Sequence, residues 1–268
     1  MTETPDGNGP FLPDYFGESV AATYDDPASS EFDPAVIDMT VDFLARLADG
    51  GRALELGIGT GRIALPLSSR GVEVHGIDLS PAMVAKLREK PGGAAIDVTF
   101  GDFASTRAGG DGDGEGRSER DGEGTFGLAY LIFNTIMNLT TQDAQVDCFR
   151  NAAAHLEPGG HFVVEVHLPE LRRLPHGQQA IPFRVTPTRW AFDHYDVATQ
   201  AMSSNYIEVE HGRGSVRSIP FRYVWPAELD LMARIAGMRL VERWADWGRE
   251  PFTNESRKHV SVWQKPAA

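Results

Sequence analysis

A chain of 268 residues, 41% of them hydrophobic, can bury one large α/β core, or one such core with a small added layer. Its 25 Lys and Arg face 38 Asp and Glu, and a net charge of -13 argues against a nucleic-acid partner, because grip on phosphates comes from cations set against them. The single cysteine, Cys148, excludes an internal disulfide and a cysteine-based metal cluster; no run approaches the roughly 18 apolar residues of a membrane span; and the N-terminus shows no basic, apolar leader, so a cytoplasmic protein without a membrane partner is expected.

Residues 1–10 are polar and glycine-rich and are expected to be loose. From Phe11 to Phe32 the chain is aromatic without a period, at Phe11, Tyr15, Phe16, Tyr24 and Phe32. Such a segment is either held to the domain by its rings or laid over a bound ligand. Asp33-Pro34 is a helix start, a cap followed by proline at the first helical position, and Val36, Ile37, Val41, Leu44 and Leu47 form one apolar face before Gly50-Gly51 stops the helix.

The stretch that organises the chain follows at once: ALELGIGTGRIALPLSSRGVEVHGID, from Ala53 to Asp78. An apolar run enters a turn with Gly57, Gly59 and Gly61 at alternate positions, a helix-compatible segment spans Arg62 to Arg70, and a second apolar run, Val72 to Ile77, ends in Asp78. Strand, glycine turn, helix and strand closed by an acid is the pattern of a nucleoside site. The glycines let a ligand lie against the backbone, and the acid accepts two hydrogen bonds from a ribose diol. Glu55 places a charge at the end of the first, buried strand.

The segment ExGxGTG with an acid closing the next strand resembles motifs I and II of class I S-adenosylmethionine-dependent methyltransferases. A dinucleotide fold would show GxGxxG with its last glycine opening a helix toward a pyrophosphate, whereas Arg62, Ile63 and Ala64 follow the third glycine here. The resemblance implies S-adenosyl-L-methionine as cofactor, leaving as S-adenosyl-L-homocysteine, with no metal. It implies that Glu55 and the glycine turn face the methionine part, that Asp78 holds the ribose, and that Tyr24, with Tyr15 behind it, closes over the bound cofactor.

After Asp78, Ser80-Pro81 is a second capped helix start with Met83, Val84 and Leu87 facing inward. By the resemblance Leu79 and Met83 flank the adenine, although either fits as plain core. A short alternating strand, Ile96, Val98 and Phe100, delivers Gly101-Asp102-Phe103, where the family contacts adenine. Asp102 is assigned to the amino group and Phe103 to stacking, against the alternative of an exposed loop acid. Residues 108–124 are almost wholly glycine and charge and are expected to be disordered.

Phe126 to Phe133 reads as a central, doubly covered strand. Phe133, Asn134, Thr135, Met137 and Asn138 then occupy its carboxyl end, where ligands of open α/β sheets bind. In the family this is motif IV, beside the transferred methyl. Phe133 is therefore assigned to the cofactor, and Asn134 and Asn138 to orienting an acceptor unless they merely cap a loop. Thr141 caps a helix with Cys148, Phe149, Ala152, Ala153 and Leu156 inward. A Glu157–Gly160 turn and the strand His161 to His167 then resemble motifs V and VI.

Leu168 to Trp225 alternates over three or four antiparallel strands, an insertion resembling that of small-molecule methyltransferases, including sugar-amine and glycine N-methyltransferase relatives. Trp190, Tyr195, Tyr206, Tyr223 and Trp225 would line an acceptor pocket, or equally pack the insertion on the domain. An amphipathic helix, Pro226 to Ala236, and two strands, about Leu240 to Trp247 and His259 to Gln264, close the chain around a long polar loop.

The expected fold is thus a Rossmann-like, seven-stranded, mostly parallel α/β sheet with an antiparallel insertion after the fifth strand. Its divisions are an arm at 1–32, a cofactor-binding core at 33–168, a substrate roof at 169–225 and a closing segment at 226–268. The expected activity is methyl transfer to oxygen or nitrogen of a small acceptor by in-line displacement; a homodimer is left open. An alcohol acceptor would gain from a general base, for which His167, at the end of the fifth strand, and His194, on the insertion, are the candidates. His155, ending a helix, reads as a favourable cation. The alternatives are a nicotinamide-dependent oxidoreductase on a similar sheet and a cofactor-binding module without turnover.

Overall fold

The computed structural model describes residues 13–26, 30–109, 124–210 and 213–267. A one-turn helix α1 (Glu18–Ala21) and the long helix α2 (Pro34–Ala48) precede the sheet. Strand β1 (Ala53–Leu56), helix α3 (Ala64–Ser69), β2 (Val74–Asp78), α4 (Pro81–Arg88) and β3 (Asp97–Phe100) make its first half. Then come β4 (Phe126–Leu131), α5 (Gln142–His155) and β5 (Leu156–His167). Four strands follow, β6 (Ala180–Val185), β7 (Arg189–Tyr195), β8 (Ala201–Glu210) and β9 (Arg213–Arg222). Helix α6 (Pro226–Ile235) and strands β10 (Arg239–Trp244) and β11 (Lys258–Gln264) complete the chain.

The seven-stranded sheet runs β10-β11-β5-β4-β1-β2-β3, with β11 antiparallel to both neighbours and the other pairs parallel. It is the expected Rossmann-like α/β sheet, and the insertion after the fifth strand is a separate four-stranded antiparallel sheet, β6-β7-β8-β9.

The helix starts obey the capping logic. Asp33 accepts from the Ala35 N–H (2.9 Å), Ser80 Oγ from Met83 N–H (3.2 Å) and Thr141 Oγ1 from Ala144 N–H (3.1 Å), each satisfying a donor that has no partner inside its helix. Strands β1, β2 and β4 are buried along their whole length because helices cover both faces. On one face α2 and α3 supply Val41, Leu44 and Leu67, packed against Leu128, Val163 and Val262. On the other, α5 and α6 supply Phe149 and Met232, and the edge-on cluster of Phe149, Phe162 and Trp263 fills the centre. Cys148 is fully buried there, and burial pushes its thiol far up, so it packs and does not react.

The insertion is docked. Ile181, Tyr195 and Tyr223 belong to the same core as α5 and α6, with Tyr195 and Tyr223 ring to ring at 5.7 Å. At its foot the buried Arg222 pairs with Glu228 (2.7 Å) and donates to Gln145 Oε1 (2.5 Å), tying β9 to both helices.

Two local expectations are corrected. The turn at Glu157–Gly160 lies inside β5, because Gly159 N–H donates to Lys265 O (3.0 Å) and Lys265 N–H to Gly160 O (2.9 Å), while the β4 pairing shifts register between Phe126 and Leu128. His155 is no helix-end cation. It is wholly buried, its Nε2 accepts from Ala108 N–H (2.9 Å), and its Nδ1 then donates to Asn151 O (2.8 Å), so the ring is a neutral clamp on the loop after β3. The expected disorder at 108–124 falls, except for Ala108, Gly109 and Gly124, outside the described residues, as do Phe11 and the expected loose segment 1–10.

Candidate active site

Between β1 and β2 the chain turns on three glycines with left-handed backbone, at φ +77° for Gly57, +54° for Gly59 and +76° for Gly61. A Cβ on Gly57 would stand 2.8 Å from Thr135 Cγ2, and one on Gly61 would drive into Leu87. Gly59 N–H donates to Asp78 Oδ2 (2.6 Å) and Ser80 N–H to Asp78 Oδ1 (2.8 Å), so the acid is locked in place at the rim of the turn. Burial raises the Asp78 carboxyl, and these backbone N–H groups pull it back. Each oxygen keeps a lone pair for a ligand.

Above this turn lies a cavity of about 600 Å³, open to solvent, walled by Phe16, Tyr24, Gly57, Gly59, Asp78, Leu79, Ser80, Met83, Phe103, Thr135 and Asn138. The arm forms its cover. Ser80 Oγ donates to Phe16 O (2.7 Å), and Asp25 accepts from Thr60 Oγ1 (2.6 Å) and pairs with Lys90 (2.6 Å), so residues 16 to 25 are pinned on both sides of Tyr24. Burial pushes the Tyr24 phenol up to about 12, against the pull of Arg62. It is a neutral side chain in the cavity wall. One polar atom of the wall, Asn138 Oδ1, is buried without a partner among the described residues.

Glu55 is beneath the turn and absent from the wall of the cavity. Tyr130 Oη donates to its Oε2 (3.0 Å), and burial lifts its carboxyl to about 8 while Tyr130, Arg62 and the Ala64 N–H pull it down. The carboxyl therefore holds its proton near neutral pH in the cofactor-free protein.

A second cavity, about 780 Å³, opens where the carboxyl ends of β4 and β5 meet the start of α2. Phe133 and Asn134 adopt consecutive left-handed conformations, φ +58° and +60°, which side chains disfavour and only a surrounding network can hold. That network comes from β5. Glu165 Oε2 accepts from Phe133 N–H (3.2 Å) and its backbone oxygen from Asn134 N–H (3.2 Å), while His167 N–H donates to Asn134 Oδ1 (2.7 Å). Glu165 Oε1 is in turn held by Lys258 (2.8 Å) and Trp247 Nε1 (3.0 Å), which explains the long polar loop: it carries Trp247 into the core. Arg62 lies over the rings of Phe133 (4.8 Å) and Phe32 (5.4 Å) and donates to Glu31 O (2.5 Å).

The structure thus brings Tyr24, Gly57, Gly59, Asp78, Leu79, Met83, Phe103 and Asn138 to one cavity, and Phe133, Asn134 and His167 to the other. Gly61 and Glu55 underlie the first. Asp102 is exposed past β3 and makes a turn of its own, accepting from Ala104 N–H (2.9 Å). Tyr15 stands one residue from the wall, where Phe16 takes its place. In the insertion, Tyr195 and Tyr223 follow the packing alternative and are core, while His194 and Trp190 are exposed and line neither cavity. His194 fails for a plain reason, since its neighbour Tyr195 takes the inward face of an alternating strand. Sequence reading missed Arg62, Glu165, Trp247 and Lys258, which come together only through the sheet order; Arg62, next to the last glycine, was the one within reach.

Comparison with known proteins agrees with this geometry. Residues 53–160 match a family model described as a methyltransferase domain. The solved structure of the CcbJ methyltransferase from Streptomyces caelestis is 38% identical, covers 94% of this chain and 98% of its own, and superposes with a TM-score of 0.76. The chain belongs to the S-adenosylmethionine-dependent methyltransferases. The cypemycin N-terminal methyltransferase of a Streptomyces species is 26% identical to this methyltransferase over 229 residues, 82% of this chain and 85% of its own. A structure of an amino pentose methyltransferase from Micromonospora echinaspora, solved with bound S-adenosylmethionine, shares the fold at 20% identity, TM-score 0.62, over 92% of this chain and 96% of its own. The enzyme's cofactor is S-adenosyl-L-methionine, and the oxidoreductase and non-catalytic alternatives give way. Among the described residues no group of three or more metal-binding side chains is gathered, and no helix is long and apolar enough to cross a membrane.

Proposed function

We propose that this methyltransferase moves the methyl group to an amine nitrogen of a small, natural-product-like acceptor that occupies the second cavity. The observation that carries this reading is the turn after β4. Phe133 and Asn134 line one cavity, Thr135 and Asn138 the other, so a single strained turn is the partition across which a methyl group has to pass.

In this reading Asp78 accepts from the ribose hydroxyls, Leu79, Met83 and Phe103 flank the adenine, and Asp102, just past β3, takes its amino group. The Cβ-free faces of Gly57 and Gly59 let the methionine part lie against the turn, with Glu55 below favouring its ammonium and Tyr24 closing the top. The cofactor, when bound, supplies a methyl already activated by its sulfonium. The protein's work is then to align the acceptor in line and to exclude water, and an amine that arrives neutral needs no side-chain base. Nitrogen is preferred over oxygen because the sequence relative above is named an N-terminal methyltransferase. Incubation with labelled cofactor and matched panels of amines and alcohols, followed by mass spectrometry, tests it. One methyl added to amines is the expected result, and methylation confined to hydroxyls overturns it.

A further inference from the structure

We propose that the second cavity selects acceptors whose nucleophilic nitrogen stands beside a carbonyl oxygen, as in an α-amino amide, and that His167 is a specificity-determining donor for that oxygen rather than a base. The proposal rests on the methyl-transfer reading above and adds a substrate class to it.

One donor in the second cavity admits a single role. The backbone N–H of His167 can only donate, so the Asn134 atom 2.7 Å from it is the amide oxygen. The amide nitrogen is then the atom facing His167 Nδ1 at 2.9 Å. An amide NH₂ has no acceptor capacity, so Nδ1 must offer its lone pair, and the proton of the neutral imidazole sits on Nε2. His167 is exposed as a residue, but the partial desolvation of its ring disfavours the charged form, and Lys258 works in the same direction, against Glu165, Glu31 and Glu170. A neutral ring tied in this way has no lone pair left to take a proton from an acceptor. What it can do is donate from Nε2.

The rest of the wall presents donors as well. Arg62 lines the same cavity and makes no ion pair with a described carboxylate; its one hydrogen bond there goes to a backbone oxygen. Both carboxylate oxygens of Glu165 are already committed, to Lys258 and Trp247 on one side and to Phe133 N–H on the other. A site with N–H groups on offer and its central acid satisfied is complementary to a ligand oxygen, and a ligand lacking that oxygen leaves the donors unpaired.

Two measurements on the full chain test this. In the nitrogen-15 spectrum of histidine-labelled protein, the ring resonances lost in His167→Gln should show the Nε2–H tautomer at neutral pH; the Nδ1–H tautomer overturns the proposal. With S-adenosyl-L-homocysteine bound, L-leucinamide and 3-methylbutylamine differ only in the carboxamide, and titration should show the first binding at least about ten-fold tighter. His167→Ala should erase that difference while His167→Gln, which keeps an N–H, preserves part of it, both with unchanged affinity for S-adenosyl-L-homocysteine. Equal binding of the two amines overturns the proposal, as does a His167 ring that responds to S-adenosyl-L-homocysteine alone, which would give this cavity to the cofactor's tail. A protein that binds no S-adenosyl-L-homocysteine fails the methyl-transfer reading itself, so the two failures are distinct.

Discussion

The two cavities are built from different material. The first is founded on backbone: the glycine turn, with Asp78 fixed by backbone N–H groups at 2.6 and 2.8 Å, to which the arm and the loops after β3 and β4 add side chains. The second is lined by residues drawn from the arm, α2, the approach to α3, the ends of β4 and β5, and both sides of the last loop. A site made of backbone tolerates little change and looks alike wherever it recurs. A site made of side chains can be rewritten without disturbing the fold, which is what a family with one cofactor and many acceptors requires.

If that contrast is right, the largest single effect comes from the backbone site. Gly59 holds φ +54°, and an added Cβ would already reach Met83 Cε at 3.4 Å. A β-branched side chain there pays left-handed strain of about 1–2 kcal/mol and fills the space a ligand needs. Gly59→Val is expected to lower cofactor affinity at least about 100-fold by calorimetry while circular dichroism stays native. Undiminished affinity would remove the first cavity from the mechanism.

Outside both cavities stands the insertion, whose anchor can be cut without touching the glycine turn. Arg222 and Glu228 have side chains 6% and 15% exposed, and removing one partner of a buried pair typically costs about 3–5 kcal/mol because the other charge is stranded. Arg222 keeps Gln145 and Gln200, so Glu228→Ala is expected near the lower end, about 3 kcal/mol in urea unfolding. Cofactor and acceptor affinity should both hold, since no residue of the insertion lines either cavity. A loss of either would show that the insertion and the cavities are one mechanical unit.

Glu55 sharpens the comparison from below. Its folded pKa of about 8 stands above the ordinary 4.5, so between those values the native state keeps a proton that the unfolded chain has released. Stability of the cofactor-free protein should therefore fall as pH rises from 5 to 8, by at most about 1.4 kcal/mol per pH unit from this group. Glu55→Gln, which keeps the shape without the titration, should flatten the slope in pH-resolved urea melts. An unchanged slope would mean that the floor of the site is already ionised.

The same division explains what could be read from the sequence. The strand, turn, strand and acid from Ala53 to Asp78 are contiguous, and their requirements are stereochemical, so residue types alone disclose them. The caps at Asp33, Ser80 and Thr141 are equally local. The second cavity depends on β5 lying between β4 and β11, which is what brings Glu165, Lys258 and Asn134 together from three separated segments. No spacing rule announces it. Glu55 was legible as a charge and misplaced as a contact, because only packing reveals that Tyr130 reaches it first. The burial of His155 was hidden for a similar reason: the loop that covers it arrives from some fifty residues earlier in the chain.

The smallest expected effect belongs to the residue where aromatic and titratable side chains on the insertion most invited a catalytic reading. His194 is exposed on β7, hydrogen-bonds to Gln179 Oε1 at 3.2 Å, and sits between Asp193 and Tyr195, which turn toward the core side of the strand. Surface substitutions without a buried partner, a cap or a special backbone conformation stay within about 0.5 kcal/mol. His194→Ala should therefore leave unfolding free energy, cofactor affinity and turnover indistinguishable from the parent, and leave the pH profile of turnover without a lost limb. A steep fall in turnover with intact cofactor binding would mean that the insertion tilts during the reaction far enough to bring its outer face to the acceptor, and the partition between the two cavities would then have to include a moving third wall.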